Sequence, residues 1–339
     1  MRIGILSFAH LHAESYAAVL KKMPGVELIG ASDENRERGR HFAEQLGIRL
    51  YPDHAALLAD RPDAVVVTSE NARHLPLVKL AAEAGVHVLC EKPLATTVED
   101  AQEIVRVCRE AGVLLMTAFP VRFSAPAMEV KRQIEGGTLG AIYGINSTNQ
   151  GSLPELHQKE NLAFLGRDWF VDKELAGGGA VADHVVHLAA LLRWHLGREV
   201  VEVYAATNRV IHGDRVSVET GGLVMLTFDD GTFASIDCSW SKPAAYPTWG
   251  GLALEIVAAG GLMTMDAYRQ RMTVTSDRMG RPRYAYWGSD ANTAMLAEFV
   301  AAVREGRSPS VTGEDGLRAV EIVVAAYESA EKSAPVRLG

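Results

Sequence analysis

The chain is poor in cysteine. Its 339 residues hold Cys90, Cys108 and Cys238, far apart and odd in number. No CxxC pair exists, so neither a disulfide framework nor a cysteine-based zinc site is expected, and a reducing cytoplasm fits. Long apolar runs are also missing. None approaches the ~20 residues of a membrane span, and Met1-Arg2-Ile3-Gly4-Ile5-Leu6 enters a strand with no signal-peptide layout. Positive charge is in deficit: 34 Lys and Arg stand against 42 Asp and Glu, a net charge of -8. A nucleic-acid partner would want a basic face, so that class is set aside. What remains is an ordinary composition, 48% apolar and 22% charged. The length suffices for two domains with sizeable cores.

The first hundred and twenty residues alternate regularly. Apolar strands are expected at Ile3–Phe8, Val26–Ala31, Ala64–Thr68, Val86–Cys90 and Val113–Thr117, with a short one possible at Arg49–Tyr51. Helical patterns fall between them at Ala13–Lys22, Glu34–Leu46, His54–Ala59, Leu75–Ala84 and Val98–Glu110, with Gly47 and Gly85 as stop signals. Strand, helix, strand at this spacing gives right-handed crossovers and a parallel sheet covered on both faces. The expectation is an α/β, Rossmann-type doubly wound domain over residues 1–120.

The usual fingerprint of that architecture, G-x-G-x-x-G, is absent. Its three positions hold Ser7, Ala9 and His12. Ser7 and Ala9 are small, and Ser7 offers a hydroxyl to a phosphate. His12 is large and is expected to crowd the helix–strand contact. Asp33 follows the second strand, roughly 20–25 residues beyond the loop, where an acid binds adenosine ribose hydroxyls and favours NAD over NADP. Asp33 reads equally well as the N-cap of the helix behind it.

The stretch Gly85–Leu94 ends a buried strand in Cys90-Glu91-Lys92-Pro93. Ligands bind outside the carboxyl ends of parallel strands, so Lys92 stands at a ligand-facing edge. Downstream, Gly177-Gly178-Gly179 leads a helix running roughly Ala180–His195. On it Asp183 and His187 are i and i+4 and share a face. Oxidising an alcohol needs a base for the hydroxyl proton as hydride leaves, and His serves near neutral pH. Lys92 would hydrogen-bond the reacting hydroxyl and Asp183 a neighbouring one.

With these residues in place, the chain resembles the Gfo/Idh/MocA family of NAD(P)-dependent oxidoreductases, which act mostly on sugars, inositols and related polyols. The resemblance rests on Asp63–Thr68 followed by Asn71 and His74, on Glu91-Lys92-Pro93, and on Arg122-Phe123. It continues through the glycine run leading to Asp183 and His187, and through Gly313–Arg318. It implies that Lys92, Asp183 and His187 are the catalytic positions. It implies cofactor contacts from Ser7, Phe8, Ala9, His10, His12, Asp33, Thr68, Asn71, His74, Glu91, Lys92 and Arg122. The cofactor is expected to be NAD, with NADP less favoured. The implied second domain, residues 121–339, is α+β with a large open, mainly antiparallel sheet and a last helix packing back on the first domain. The sequence agrees: after Leu139 come β-rich runs at Ile142–Thr148, Val200–Asn208, Gly222–Phe228, Thr232–Ser239, Ala253–Ala258 and Met272–Thr275. Helices at Leu296–Val303 and Leu317–Glu331 close the chain.

The segment Gly151–Glu174, with His157, Lys159, Arg167, Asp168 and Trp169, is expected to form a substrate wall. Substrate contacts are assigned to Lys92, Arg167, Asp168, Trp169, Asp183, His184 and His187. Trp240, Tyr246 and Trp249 could cap a sugar or build an interface. No metal is expected, because adjacent helix positions such as Asp183 and His184 point apart. His10 and His12 are read instead as modifying how the pyrophosphate or nicotinamide is held. The expected activity is hydride transfer between NAD(P) and a sugar, inositol or related polyol. The alternatives are a silent nucleotide- or sugar-binding regulator, and a lyase or glycoside-cleaving member in which NAD is transiently reduced. An open sheet needs a covered face, so a homodimer or homotetramer is expected.

Overall fold

The computed structural model describes residues 1–154, 167–243, 245–246, 248, 250–269, 271–274, 283–286, 288 and 290–339. The readings placed on His157, Lys159 and Trp249 lie outside these residues.

Five parallel strands form the first sheet: β1 (Arg2–Leu6), β2 (Glu27–Ser32), β3 (Ala64–Val67), β4 (His87–Cys90) and β5 (Leu115–Thr117). Their order is β2-β1-β3-β4-β5. β3 is an unbroken Ala-Val-Val-Val run buried on both faces, as a central parallel strand must be. Helices His12–Leu20, Arg36–Leu46, His54–Ala59, His74–Glu83 and Val98–Glu110 lie between the strands. The helix after β2 begins at Arg36, not Glu34. Asn35 caps it, accepting the N–H groups of Glu37 and Arg38, and Gly47 ends it at φ 60°. The capping role read for Asp33 therefore belongs to Asn35. The possible strand near Arg49 reduces to a single bridge between Ala31 and Leu50.

The second sheet has seven strands: β6 (Ile142–Ser152), β7 (Val200–Asn208), β8 (Gly221–Phe228), β9 (Phe233–Lys242), β10 (Gly250–Ala258), β11 (Gly261–Asp266) and β14 (Val336–Arg337). Strands β12 (Arg271–Val274) and β13 (Arg283–Tyr286) pair separately. The order is β11-β10-β6-β9-β8-β7-β14. Only β6 and β9 run parallel in it, and the other pairings are antiparallel. Helices Ala180–Leu196 and Gly313–Lys332 pack against this sheet, and the latter also meets helix Val98–Glu110 of the first. Helix Ala291–Glu305 packs on helix His12–Leu20. The stretch Lys173–Leu196 is long and apolar enough for a membrane span, yet most of it is buried inside the fold. Helix Ala125–Glu135 was not anticipated, although Ser124 as N-cap and Pro126 in the first turn announce it.

The glycine run serves packing. A Cβ on Gly178 would lie 1.8 Å from the Tyr327 hydroxyl, and one on Gly179 would lie 2.0 Å from the Glu219 carbonyl oxygen. The Glu219 carboxylate accepts the N–H groups of Gly179 at 2.9 Å and Val181 at 3.0 Å. The Tyr327 hydroxyl accepts that of Ala182 at 3.1 Å and donates to Glu219 at 2.8 Å. The first amides of helix Ala180–Leu196, which lack intrahelical partners, are thus closed by two remote side chains. Gly179→Ala is expected to cost about 1–3 kcal/mol by overpacking, read as a lowered urea midpoint with an unchanged slope. An unshifted midpoint would show that the loop has room.

Candidate active site

The carboxyl ends of β1 to β4 bring Ser7, Asp33, Thr68 and Glu91 together beside helix Ala180–Leu196. Between the two sheets lies a cavity of about 740 Å³, lined by His10, His12, Lys92, Asp183, His184 and His187 among others. The Lys92 Nζ lies 2.9 Å from Asp183 Oδ1 and donates also to the Asp183 carbonyl at 3.2 Å. The other carboxylate oxygen, Oδ2, accepts from Trp240 Nε1 at 3.2 Å and lies 3.1 Å from His184 Nε2. Adjacent helix residues were expected to face apart, but at the first turn the His184 ring folds back onto its neighbour. Burial alone would raise the Asp183 pKa, but Lys92 and His184 override it and hold the carboxyl well below its usual range.

His187 lines the same cavity, with Phe119 edge-on at 6.3 Å between ring centroids. Its Nδ1 is buried without a hydrogen-bond partner among the described residues. Burial, and then Lys92, push its pKa well below 6.5, so the ring is neutral at neutral pH. No direct contact with Asp183 is needed to account for the i, i+4 spacing: both face the cavity.

The glycine-less loop keeps the shape of the fingerprint. Ser7 takes φ 75°, the left-handed region glycine favours. That conformation costs a residue with a Cβ about 1–2 kcal/mol. The Ser7 hydroxyl accepts the Ala9 N–H at 3.2 Å and an Arg38 N–H at 3.3 Å, which offsets part of it. The loop amides have internal acceptors: Ser32 O for Ser7, Asp33 Oδ2 for Phe8 and Thr68 O for His10. The third fingerprint position, His12, does not crowd the helix. It opens helix His12–Leu20, and its ring turns out to meet Glu91, Nδ1 to Oε1 at 2.9 Å.

Several residues named from the sequence sit elsewhere. Asp33 is buried and shared between the Phe8 N–H, at 2.6 Å, and the Arg38 guanidinium, at 2.8 Å. Arg38 also reaches Glu70 at 3.5 Å. Ribose hydroxyls reaching Asp33 would meet a carboxylate already paired. Arg167 does not face the cavity: it donates to the Phe8 carbonyl at 2.7 and 3.0 Å, pairs with Glu14 at 2.6 Å and covers the Phe42 ring. Trp169 donates to the Ala9 carbonyl at 3.1 Å and stacks on Phe170, while Asp168 is exposed. Arg167 and Trp169 clamp the loop after β1, and Phe170 beside them lines the cavity. Arg122 turns to the Ser310 carbonyl and the Trp194 ring. Asn71 Nδ2 donates to the Ala176 carbonyl at 2.9 Å, and His74 Nδ1 lies 3.0 Å from the Pro93 carbonyl, so both brace loops. Asn149, Gln150, Tyr268 and Asn292 line the cavity from the other sheet and its helices. Sequence reading missed them because neither strand alternation nor helix period says which strand end borders a cleft.

A parallel nucleotide-binding sheet, a second open sheet, and a Lys–Asp pair with a neutral His in the cleft between them define a nucleotide-dependent oxidoreductase. The chain belongs to the Gfo/Idh/MocA family. Residues 1–119 match the model of the oxidoreductase family's NAD-binding Rossmann fold, and residues 127–264 match the GFO/IDH/MocA C-terminal domain. The myo-inositol 2-dehydrogenase of Thermotoga maritima is 30% identical, over 100% of this chain and 98% of that protein. A D-xylose 1-dehydrogenase (NADP(+)) of Haloferax volcanii is 29% identical over 100% of both. Among solved structures, GenD2 from gentamicin A biosynthesis, in complex with NAD, superposes with a TM-score of 0.87 at 25% identity, over 100% of this chain and 96% of that one.

The residues present fit a nicotinamide dinucleotide at its reactive end. Lys92 and His187 both line a cavity large enough for a nicotinamide and a small substrate. At the adenosine end, Ser7 keeps the required turn and Asp33 stands at the tip of β2 with Arg38 as its partner.

Proposed function

We propose that this protein is an NAD(P)-dependent dehydrogenase that oxidises a secondary alcohol of a sugar, inositol or related polyol, with NAD the preferred cofactor. The observation that carries the reading is the Lys92–Asp183 pair at 2.9 Å facing the same cavity as a neutral His187. The dinucleotide, when bound, supplies the hydride acceptor. His187 takes the hydroxyl proton. Lys92 donates to the oxygen as negative charge grows on it. Asp183, fixed by Trp240 and His184, accepts from a neighbouring hydroxyl, which suits a vicinal polyol. Asn149 and Gln150 of β6 border the cavity, with their amide N–H groups donated to the His184 carbonyl and the Asp237 carboxylate. Residues 1–120 form the nucleotide domain in this reading, and 121–339 the substrate and assembly domain. Calorimetry with NAD(H) and NADP(H), followed by turnover of a panel of inositols and aldoses, tests it. Tight NAD(H) binding with turnover of at least one polyol is expected. Absence of binding by either dinucleotide would end the proposal.

We further propose a homo-oligomer built on the outer face of the second sheet, in a reducing cytoplasm where the buried thiols persist. Tyr204, Leu223, Met225, Phe233 and Leu262 are all exposed. Strand register puts them on one face: Tyr204 pairs Met225, and Phe233, Gly144, Val257 and Leu262 align across four strands. An apolar sheet face of this extent is a contact surface. The double variant Leu223→Glu/Phe233→Glu is expected to reduce the mass measured by light scattering to that of one chain. A wild-type protein already monomeric at high concentration would overturn the assignment.

A further inference from the structure

The loop that replaces the glycine fingerprint carries a cluster, placed by the sequence among the cofactor contacts, to which the proposed reaction gives no proton or hydride step. His12 Nδ1 lies 2.9 Å and His10 Nδ1 4.0 Å from the same oxygen, Oε1 of Glu91. Ligand atoms of all three side chains lie within 4.8 Å of one another. Atoms bound ~2.0–2.1 Å from a tetrahedral zinc ion sit ~3.3 Å apart, so the two observed separations fall on either side of the value in a formed site. We propose that His10, His12 and Glu91 bind a divalent transition-metal ion, with Zn²⁺ the best match to two imidazoles and a carboxylate.

The surroundings are those of a held ligand set. The His-x-His spacing falls in the turn that enters helix His12–Leu20, which brings the two rings together with centroids 4.4 Å apart. Glu91 is completely buried. Its second oxygen, Oε2, accepts the Lys92 backbone N–H at 3.0 Å, which leaves Oε1 aimed at the histidines. Such outer contacts orient metal ligands. In the metal-free chain the His12–Glu91 hydrogen bond stands in for the ion, and coordination through Nδ1 puts the neutral ring's proton on Nε2 instead. Other contacts change with it: the His12 N–H to His10 Nδ1 at 3.2 Å, and the Tyr16 hydroxyl, which lies 3.3 Å from His12 Nδ1 and also hydrogen-bonds Glu91. The nearby Lys92 ammonium does not forbid a cation, since Asp183 neutralises it at 2.9 Å. His10 and His12 both line the main cavity, so the remaining coordination position opens onto it. Three protein ligands with one open position is the pattern of a site that meets water or a ligand hydroxyl, not of a closed structural site.

The proposal is independent of the polyol reading, and its test needs neither dinucleotide nor substrate. Full-length protein treated with EDTA and dialysed is titrated with Zn²⁺ by calorimetry and with Co²⁺ by visible absorption. One ion per chain is expected, with the d–d bands of a nitrogen- and oxygen-ligated Co²⁺. His12→Gln, at a partly exposed position, is expected to weaken Zn²⁺ binding by at least about 100-fold, and His10→Gln by a similar factor. Circular dichroism checks the fold of each variant, and His12→Gln decides the matter if the buried His10 position does not tolerate change. Absence of stoichiometric binding by the wild type would overturn the proposal. Equal affinity in wild type and His12→Gln would do the same, by assigning the ion to other histidines. Dehydrogenase turnover by the metal-free protein bears on the polyol reading alone, so the two can fail separately.

Discussion

Lys92→Met is expected to lower kcat for polyol oxidation by about 10²–10³-fold while NAD(H) affinity holds. Methionine keeps the length and apolar volume of the stem and removes only the ammonium. The loss falls on kcat because the Lys92 N–H matters most when charge develops on the substrate oxygen, a condition met in the transition state and not in the ground state. The variant carries a second cost, in stability. Asp183 is left buried without the cation that holds it ionised, and removing one partner of a buried pair costs about 3–5 kcal/mol. The stability effect is isolated in the double variant Lys92→Met/Asp183→Asn, which leaves no unpaired buried charge but also alters a proposed substrate contact. Its urea midpoint is expected to return toward the wild-type value while turnover stays low. Turnover restored along with stability would make Lys92 a structural residue and remove it from the reaction.

His187→Asn is expected to reduce kcat/KM by about 10²–10⁴-fold and to abolish the acid limb of its pH profile. Burial and the neighbouring Lys92 hold the His187 pKa well below 6.5. The base works deprotonated, so activity is full above the depressed pKa and is lost only as the pH falls through it. The wild-type profile should therefore be flat through neutrality and decline only on the acid side of 6.5, further down than an ordinary histidine would give. Asparagine cannot titrate there, so the variant's residual activity should lack that decline. An acid limb that stays in place in the variant would assign it to another group and sink the role given to His187.

The nucleotide sheet was legible because apolar runs and their stops recur at a fixed spacing, and helix His54–Ala59 and helix Val98–Glu110 fall where the pattern puts them. Lys92, Asp183 and His187 were legible for a related reason. A strand end, a glycine run and an i, i+4 pair are local signals, and together they say which side chains reach a cleft. What stayed hidden depends on contacts between remote segments. Trp240 meets Asp183 from 57 residues away, and Tyr327 reaches Gly179 across 148. Neither distance leaves a mark in periodicity. Asp33 shows the same limit at short range: the acid was visible, but the Arg38 that occupies it lies on the buried side of a helix whose overall pattern is charged. Arg167 and Trp169 were assigned to a substrate wall from polarity alone, whereas their partners are backbone carbonyls of the nucleotide loop.

The Lys92–Asp183 pair has a consequence for the catalytic cycle. Lys92 leaves the end of β4 in one sheet, and Asp183 rides on a helix packed against the other. The pair is a bridge across the cleft between the two sheets. Any widening of that cleft would have to lengthen this contact and so separate two of the side chains that the proposed reaction needs together.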